Sequence, residues 1–293
     1  MSNPLIEMSG LLGELKSDID ETLKEKTPLH RLKLFKIKKD ELCHDENLKF
    51  PLIVKPDSGM RGTDVSLVYN RDELNKYLLK AKKDSVVQEY FPSKNEWGVF
   101  YYRFPNHKTG HVYSITHKEF PQVVGDGYSS VLNLLWKQPL VRVRFDWLYN
   151  SIKEKLSIIP EKGEVISLVE RGSHSKGCLF LDGAHFLTPE IEASMTGILD
   201  SIDGFFIGRV DIRFENLEKL SKGEFKIIEI NGTGGESSNY YDPQMPYLKV
   251  FQTLIGQWNL AFKIGDINKK RSVPQRKLID FFKIILKYRK SDA

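Results

Sequence analysis

Oxygen-bearing side chains stand near the ends of two apolar, strand-like runs in the segment GRVDIRFENLEKLSKGEFKIIEINGTGGE, residues 208–236. Alternate residues of a strand point to the same face of a sheet. If the polar stretch FENLEKLSKGE connects two strands, Asp211 and Glu229 lie side by side. The residues predicted to share these faces are Arg209, Asp211 and Arg213 on the first strand, and Ile227, Glu229 and Asn231 on the second.

Two adjacent carboxylates destabilise a fold unless positive charge lies between them. Carboxylate and amide oxygens suit Mg²⁺, an ion that takes few protein ligands and also binds substrate phosphates. The set Asp211, Glu229 and Asn231 therefore predicts a magnesium site. The residues alone leave one alternative open, an ordinary surface ladder of salt bridges in which Arg209 and Arg213 neutralise the acids.

A second segment whose residues could bind a ligand is LIVKPDSGMRGTDVSLV, residues 52–68. An apolar strand carries Lys55 near its end, a loop contains Gly59 and Gly62, and another strand follows. Glycines let backbone amides approach phosphate oxygens, and the lysine supplies a positive charge. The pattern is not a Walker P-loop, which needs Lys-Ser/Thr after the last glycine and then a helix. A hairpin without a ligand gives the same pattern.

The third segment is SVVQEYFPSKNEWGVFYYR, residues 85–103. A strand that ends with Glu89, Tyr90 and Phe91 presents backbone groups and a carboxylate that could contact an adenine edge. Glu96 follows within reach of ribose hydroxyls. Both acids are equally consistent with solvated residues at strand ends.

Composition limits the classes of protein. The chain has 293 residues, 40% hydrophobic and 11% aromatic, which is enough for a core in one large or two ordinary domains. The net charge of +5 is concentrated in residues 269–290, so the rest lacks the basic face that nucleic-acid binding needs. Cys43 and Cys178 have no metal-ligand spacing and predict no disulfide. We expect a cytoplasmic protein, because no apolar run reaches ~18 residues and no signal-peptide pattern occurs.

Strands and helices are predicted in a mixed order. Runs of adjacent strands are interrupted by helices without strict alternation, which favours an α+β fold. Residues 1–49 are charged and partly helical, at GELKSDIDETLKEK. The other predicted elements are strands at PLIVKP, VSLVY, SVVQEYF, EWGVFYYRF and GHVYSITHKEF, and helices at RDELNKYLLKAKK, Ser129–Lys137, Phe145–Leu156 and Pro189–Ile202.

Taken in order, these motifs resemble those of the ATP-grasp superfamily, specifically the D-alanine–D-alanine ligase-like carboxylate–amine ligases, over residues 50–245. The GDG turn at Gly125–Gly127, in THKEFPQVVGDGYSS, is similar to a segment of cyanophycin synthetase-like ligases. The resemblance implies an ATP-grasp fold in which two α+β subdomains clasp the nucleotide. It implies these roles: Lys55, Ser58, Gly59 and Gly62 on the nucleotide phosphates, Glu89 with the backbone of Tyr90 and Phe91 on adenine, Glu96 on ribose, Asp211, Glu229 and Asn231 on magnesium, and Arg209 and Lys118 as catalytic cations.

The resemblance also implies a domain organisation. Residues 1–49 form a truncated substitute for the family's N-terminal domain. Residues 50–262 form the ATP-grasp domain, with a smaller subdomain at 50–91 and a larger one at 92–262. Residues 263–293 form a basic amphipathic C-terminal segment.

The sequence differs from the family's pattern at two places that would contact the nucleotide phosphates. The family's N-terminal domain often supplies another phosphate lysine, for which Lys33, Lys36 and Lys38 are candidates. Arg61 stands where the phosphate loop often has a small residue, and it could contact a phosphate or a substrate carboxylate. A solvated loop arginine is the alternative.

The activity implied by the resemblance is an ADP-forming ligase that uses ATP and Mg²⁺, with Mn²⁺ as an alternative metal. It joins a carboxylate to an amine or similar nucleophile through an acyl phosphate. Two alternatives stay open, an ATP-grasp phosphotransferase and a non-catalytic ATP-binding module. The expected partners are small-molecule or peptide-like carboxylate and amine substrates, which the sequence does not identify.

Two loops are candidates for substrate binding. His174, in ERGSHSKGC, could bind an acceptor, although a lone loop histidine is more often exposed. Gly234, Gly235 and Ser237, in GTGGESSNYYDP, could bind the acceptor next to the acids, and turn formation alone explains the same residues.

The C-terminal sequence PQRKLIDFFKIILKYRK predicts a short basic helix with one apolar face. Leu278, Phe281, Phe282 and Ile285 form that face, and lysines surround it. Such a helix either packs on its own domain or lies on an anionic membrane surface.

Overall fold

The structure is a computed structural model that describes residues 1–12, 14–59, 62–142, 145–169, 177–277, 279–280, 282–283 and 285–286. The side chains of residues 147, 150 and 151 are outside this description. Within the described residues, no helix is both long and apolar enough to span a bilayer.

Strands and helices alternate irregularly along the chain. The strands are β1 Leu34–Ile37, β2 Leu52–Pro56, β3 Ser66–Val68, β4 Ser85–Glu89, β5 Asn95–Tyr102, β6 His111–Glu119, β7 Gln122–Val124, β8 Val165–Ser167, β9 Leu179–Asp182, β10 Ile207–Phe214 and β11 Phe225–Asn231. The helices are α1 Lys16–Lys26, α2 Arg71–Leu78, α3 Val131–Trp136, α4 Pro139–Arg142, α5 Phe145–Ile152, α6 Pro189–Leu199, α7 Leu217–Ser221 and α8 Tyr247–Lys270. The predicted α+β class is confirmed.

Two antiparallel sheets form the frame of the molecule. The smaller has the strand order β1-β4-β2-β3, and the larger has the order β11-β10-β5-β6-β9. A separate hairpin pairs β7 with β8. Leu74 and Leu78 of α2 pack with Val54 and Val87 of the smaller sheet, as the helical spacing of the two leucines predicts.

The larger sheet buries one face against helices. Ile19 and Leu23 of α1, together with Met195 and Leu199 of α6, join Val210 and its neighbours in the main core. The N-terminus of α6 is capped by the Thr188 side chain, which accepts a hydrogen bond from Ile191 N. The other face of this sheet carries the polar residues of the candidate site.

Two observed elements, β1 and α8, lie at the predicted domain boundaries, which stay a prediction. β1 precedes residue 50, yet it pairs with β4 inside the smaller sheet. α8 runs without interruption across the boundary predicted after residue 262. The sequence did not indicate α8 as a helix, because Val250, Thr253 and Ile255 favour strands and Gly256 interrupts its middle.

Candidate active site

The strand register of the larger sheet places five positions in one row across its polar face. Antiparallel pairing sets Glu229 opposite Asp211, Asp211 opposite Gly98, Gly98 opposite Thr116, and Thr116 opposite Asp182. Residues that lie directly opposite on paired strands share a face. The prediction that Asp211 and Glu229 lie side by side is therefore confirmed.

A β-bulge changes the face of one predicted residue. The register between β10 and β11 shifts after Asp211, so that Ile212 lies opposite Ile227 and one residue of β11, Ile228, has no opposite partner. Ile227 is consequently buried in the main core with Ile212. The prediction that Ile227 shares a face with Glu229 and Asn231 is wrong, because strict alternation does not continue through a bulge.

Asp211 lies in a buried ionic network. Its Oδ1 atom is 3.0 Å from Arg209 Nε and 3.2 Å from Lys118 Nζ. Lys118 Nζ also lies 2.8 Å from Glu96 Oε1, and Arg213 Nε lies 2.7 Å from Glu96 Oε2. Arg209 and Arg213 thus do neutralise acids, as the salt-bridge alternative predicts, but the network is buried and not a surface ladder.

The cations of this network keep both carboxylates ionised. Burial alone would raise the pKa of Asp211, but Arg209 and Lys118 outweigh it and hold that pKa below its ordinary value. Burial likewise opposes ionisation of Glu96, whose pKa is held low by Lys118 and Arg213. The same carboxylates raise the pKa of Lys118 in spite of its burial. The network is therefore charged at neutral pH.

Gly98 provides the space for the two charged side chains next to it, and the sequence did not indicate this role. A Cβ atom at this position would lie 2.9 Å from Arg209 Cδ and 3.1 Å from Asp211 Oδ1. A side chain here would displace the pair. The residue itself gave the only signal, a glycine inside a strand, which often marks a close approach of other groups.

Lys16, at the start of α1, is a second residue that the sequence did not indicate. Its Nζ atom lies 3.3 Å from Glu229 Oε1 and donates a hydrogen bond of 3.1 Å to the carbonyl of Gly59. Ser17 N and Oγ donate to the Asp57 carboxylate at 2.9 and 2.8 Å. The start of α1 thus connects the loop of the smaller sheet to the acids of the larger one.

The three lysines proposed for the extra phosphate contact lie elsewhere. Lys36 is paired with Asp57 at 2.9 Å and with Asp84 at 3.1 Å. Lys33 lies beside Glu89, and Lys38 is exposed. Lys16 is the lysine of the N-terminal region that reaches Glu229.

Glu14 approaches the same acids from the N-terminal region. Its Oε2 atom accepts a hydrogen bond of 3.2 Å from Gly232 N, directly after Asn231. Burial raises the pKa of Glu14 to about 7, and the nearby charge of Glu229 adds to this effect. Gly10 also packs on Gly232, and its carbonyl accepts a hydrogen bond of 2.9 Å from Gly234 N.

Lys55 is buried in the smaller sheet, on strand β2. Its Nζ atom donates a hydrogen bond of 3.0 Å to Gln88 Oε1, and Gln88 Nε2 donates to the Ile228 carbonyl of the larger sheet at 3.1 Å. Burial lowers the pKa of Lys55, and Glu229 and Asp211 act in the opposite direction. Of the predicted phosphate loop, Ser58 and Gly62 are partly buried and Gly59 is exposed. Arg61 lies outside the described residues.

The residues predicted to hold adenine and ribose surround Arg213. Its guanidinium lies 5.6 Å from the centroid of the Tyr90 ring and donates a hydrogen bond of 2.9 Å to the Phe91 carbonyl. Glu89 is exposed at the end of β4, where its carboxylate accepts a hydrogen bond from Lys33 N. Glu96 is buried in the ionic network, so a ribose contact would compete with Lys118 and Arg213.

The predicted metal ligands carry hard oxygen donors on the paired strands β10 and β11. Asn231 lies opposite Arg209 in the register, two pairs beyond Asp211 and Glu229. Its Nδ2 atom is buried without a hydrogen-bond partner, and a half-turn of the amide exchanges nitrogen for oxygen. This orphaned polar atom fits an additional group bound next to the two carboxylates. In the described part of the chain, no three His, Cys, Asp or Glu side chains form a metal cluster.

The predicted substrate residues differ in exposure. Gly234 is exposed, whereas Ser237 is fully buried and donates a hydrogen bond of 2.7 Å to Asn239 Oδ1. Arg209 donates to the neighbouring Glu236 carbonyl at 3.2 Å and to Ser238 Oγ at 2.9 Å, so this loop positions the guanidinium. His174 lies outside the described residues.

Comparison with known proteins gives structural matches only. No protein-family model and no curated protein sequence matches the chain. Three similar solved structures, each 17% identical in sequence, are a D-alanine–D-alanine ligase from Bacillus anthracis, an L-amino acid ligase from Bacillus licheniformis and a bifunctional glutathione synthetase from Pasteurella multocida. Their TM-scores are 0.44, 0.45 and 0.43 in that order. The matches cover 87%, 84% and 83% of this chain, and 67%, 47% and 36% of the matched chains.

These three proteins are ATP-grasp enzymes. The similarity to them assigns no role to any residue of this chain. The chain spans about a third to two thirds of their lengths.

Proposed function

We propose that this chain is an ATP- and Mg²⁺-dependent ligase that joins a carboxylate to an amine or similar nucleophile. The observation that supports this most is the convergence of charged groups where the larger sheet, the start of α1 and the loop of Gly59 meet, a region we call the cleft. Asp211 and Glu229 lie there with Arg209 and Lys118, and Lys16 spans the distance to Gly59 of the opposing loop. Such a concentration of cations and hard oxygens suits a triphosphate and a transferred phosphoryl group.

In the first proposed step, an oxygen of the substrate carboxylate attacks the γ-phosphorus of ATP. The bond from that phosphorus to the β-phosphate oxygen breaks, which gives an acyl phosphate and ADP. Negative charge on the transferring group would be offset by Arg209 and Lys118, both held in place by Asp211. Their fixed positions avoid reorganisation during the reaction.

In the second proposed step, the amine nitrogen attacks the carbonyl carbon of the acyl phosphate. The carbon–oxygen bond to phosphate breaks, inorganic phosphate leaves, and the nitrogen loses a proton. Arg209 is placed to stabilise the oxyanion, since its guanidinium is fixed on both sides, by Asp211 and by the 236–238 loop. No covalent enzyme intermediate is required.

Asp211, Glu229 and Asn231 would hold the magnesium ion, or manganese in its place. When bound, the ion would neutralise phosphate oxygens and orient them for in-line transfer. The ammonium of Lys16 lies beside Glu229 and supplies positive charge there. Burial alone would raise the pKa of Glu229, and Lys16 and Lys55 outweigh it and lower that pKa, which keeps the carboxylate ready for a cation.

The other nucleotide contacts follow the roles implied by the resemblance. Lys55 and the amides of Ser58, Gly59 and Gly62 would contact the phosphates, and we add Lys16 as the further phosphate lysine. Glu89 and the backbone of Tyr90 and Phe91 would hold adenine, and Glu96 would contact the ribose. Gly234 is exposed beside the acids, which supports its proposed contact with the acceptor.

Thermal stability with a non-hydrolysable ATP analogue, with and without Mg²⁺, tests the site. A ligand at a hundredfold excess over its Kd adds about 2.7 kcal/mol to the free energy of unfolding. We expect a Mg²⁺-dependent rise in melting temperature that Glu229→Gln weakens. Glu215→Gln, which changes an exposed carboxylate paired with Lys219, is the matched control and should retain the full rise.

Phosphate and ADP release measured with pools of carboxylates and amines tests the reaction. A ligase releases phosphate only when both substrates are present. Phosphorylation of an acceptor without phosphate release would instead identify a phosphotransferase. Nucleotide binding with no turnover in any pool would favour the binding module.

A further inference from the structure

Helix α8 buries several polar residues and exposes several large apolar ones. Its buried positions include Thr253, Gln257 and Asn268, of which Gln257 accepts a hydrogen bond from Ser237 N and Asn268 donates to the Ser2 carbonyl. Its solvent side carries five large apolar residues with 60–86% of their surface exposed. We call this set the α8 outer face: Tyr247, Leu248, Phe251, Ile255 and Phe262.

The spacing of these residues places the α8 outer face along one side of the helix. Leu248, Phe251 and Ile255 follow at intervals of three and four, and Phe262 lies two turns further along the same side. At 1.5 Å per residue the stripe is roughly 20 Å long. Exposed apolar residues that stand singly need no explanation, but a stripe of this length marks an interaction surface.

Positive charge surrounds the stripe. The exposed charged residues of α8 are Lys249, Lys263, Lys269 and Lys270 against Asp266, which Lys270 contacts at 2.8 Å. The segment after α8 is also basic, and it begins close by, because Gln275 and Arg276 line one cavity together with Phe262 and Lys269. The partner of this surface therefore carries negative charge.

We propose that the α8 outer face lies on an anionic lipid surface. An apolar stripe that includes aromatic rings and is bordered by lysines has the composition of helices that lie in the plane of a bilayer interface. A second copy of the chain fits less well, since two-fold pairing would bring two surfaces of net positive charge together. This surface is separate from the cleft, so the proposal does not depend on the ligase function.

Binding of the full chain to vesicles tests the proposal. The probes are vesicles of phosphatidylcholine alone and vesicles with roughly one-third phosphatidylserine. We expect the protein to co-sediment with the second kind and much less with the first. Raising the salt concentration should weaken binding, because charge attraction at a surface is screened within about 10 Å at 0.1 M salt.

Two double variants separate the apolar and ionic contributions. Phe251→Ser with Ile255→Ser should weaken vesicle binding by at least about tenfold, since each buried apolar side chain contributes more than a tenfold factor when fully desolvated. Lys249→Glu with Lys263→Glu should weaken binding to anionic vesicles at low salt. Leu29→Ser with Leu79→Ser, at exposed leucines far from α8 in sequence, is the control and should bind as wild type.

Several outcomes would overturn the proposal. The first is that the wild-type protein binds neutral and anionic vesicles equally. The second is that the Phe251/Ile255 variant still binds anionic vesicles as wild type does. The third is that the Leu29/Leu79 control loses as much binding as the Phe251/Ile255 variant. Concentration-dependent dimerisation that the Phe251/Ile255 variant abolishes, with no vesicle binding, would identify a second copy as the occupant instead.

Discussion

The Lys16 ammonium, at the start of α1, and the Glu229 carboxylate, on β11 of the larger sheet, form an ion pair of 3.3 Å at the cleft. The same ammonium donates to the carbonyl of Gly59, in the predicted phosphate loop. One side chain from the N-terminal region therefore contacts both walls of the proposed nucleotide site. Since its side chain is only 11% exposed, the cation is partly shielded from water, which strengthens its field at the site.

Replacing Lys16 by methionine is expected to reduce ATP affinity while leaving the fold intact. A hydrogen bond to a charged group contributes about 1.5–3 kcal/mol, so the Kd of the nucleotide should rise by roughly tenfold to a hundredfold. Titration calorimetry with the ATP analogue measures this change. Lys24→Met, which removes an exposed lysine of the same helix, should bind as wild type. Unchanged affinity in Lys16→Met would remove Lys16 from the phosphate site.

Lys118→Met should destabilise the protein itself. The lysine lies between Glu96 and Asp211 in a buried network, so its loss leaves two carboxylates with one cation each. Breaking a buried ion pair from one side costs about 3–5 kcal/mol. Urea unfolding measures the loss. The loss from Lys118→Met and Glu96→Gln together should be smaller than the sum of the two single losses, because both single variants remove the same Lys118–Glu96 ion pair, whereas simple additivity would contradict this coupling.

The carboxylates of the site could be predicted from the sequence, because the alternation of side chains between the two faces of a strand depends only on neighbouring residues. Asp211, Glu229 and Asn231 could be placed on one face from their spacing and from the polar connection between two apolar runs. The bulge at Ile228 could not be predicted from the sequence, since it depends on how β11 pairs with β10 in the folded sheet. An extra residue in one strand leaves no mark in the sequence when it is itself apolar.

Lys16 and α8 were missed for tertiary reasons. The spacing of residues in GELKSDIDETLKEK indicates a helix, but only the packing of that helix brings its first residue to Glu229. Among several lysines of one charged segment, the sequence has no means to choose the one that reaches the cleft. In α8 several polar residues are buried and several large apolar ones are exposed, so its solvent side lacks the polar pattern used to recognise a surface helix.

Gly98→Ala should damage the site through crowding. The new methyl group would lie 2.9 Å from Arg209 Cδ and 3.1 Å from Asp211 Oδ1, so the ion pair must shift. We expect a loss of about 1–3 kcal/mol in stability and a lower rate of ATP-dependent turnover. Gly197→Ala is the control, because the added atom has no neighbour within 4 Å in helix α6. That variant should gain about 0.5–1 kcal/mol. Equal turnover in Gly98→Ala and wild type would show that Arg209 tolerates displacement.

The buried carboxyl group of Glu14 makes the free energy of unfolding decrease as the pH rises. Its pKa is about 7 in the folded protein, raised by burial, against an ordinary value of 4.5. Below pH 4.5 the group is protonated in both states and contributes nothing to the pH dependence. Between pH 4.5 and 7 the unfolded chain releases the proton while the folded chain retains it, so stability falls as the pH rises. Above pH 7 the loss is complete and constant.

Glu14→Gln should remove this dependence and stabilise the protein at pH 8 by at most about 3 kcal/mol, since each unit of pKa shift corresponds to about 1.4 kcal/mol. The amide oxygen can still accept the hydrogen bond from Gly232 N, so packing is retained. Urea unfolding of both proteins at pH 4.5, 6 and 8, with a chelator present, gives the difference between them, in which other titrating groups cancel. Glu21→Gln changes an exposed glutamate of α1 and should show no trend. If the difference between Glu14→Gln and wild type is the same at all three values of pH, Glu14 is not the group that titrates.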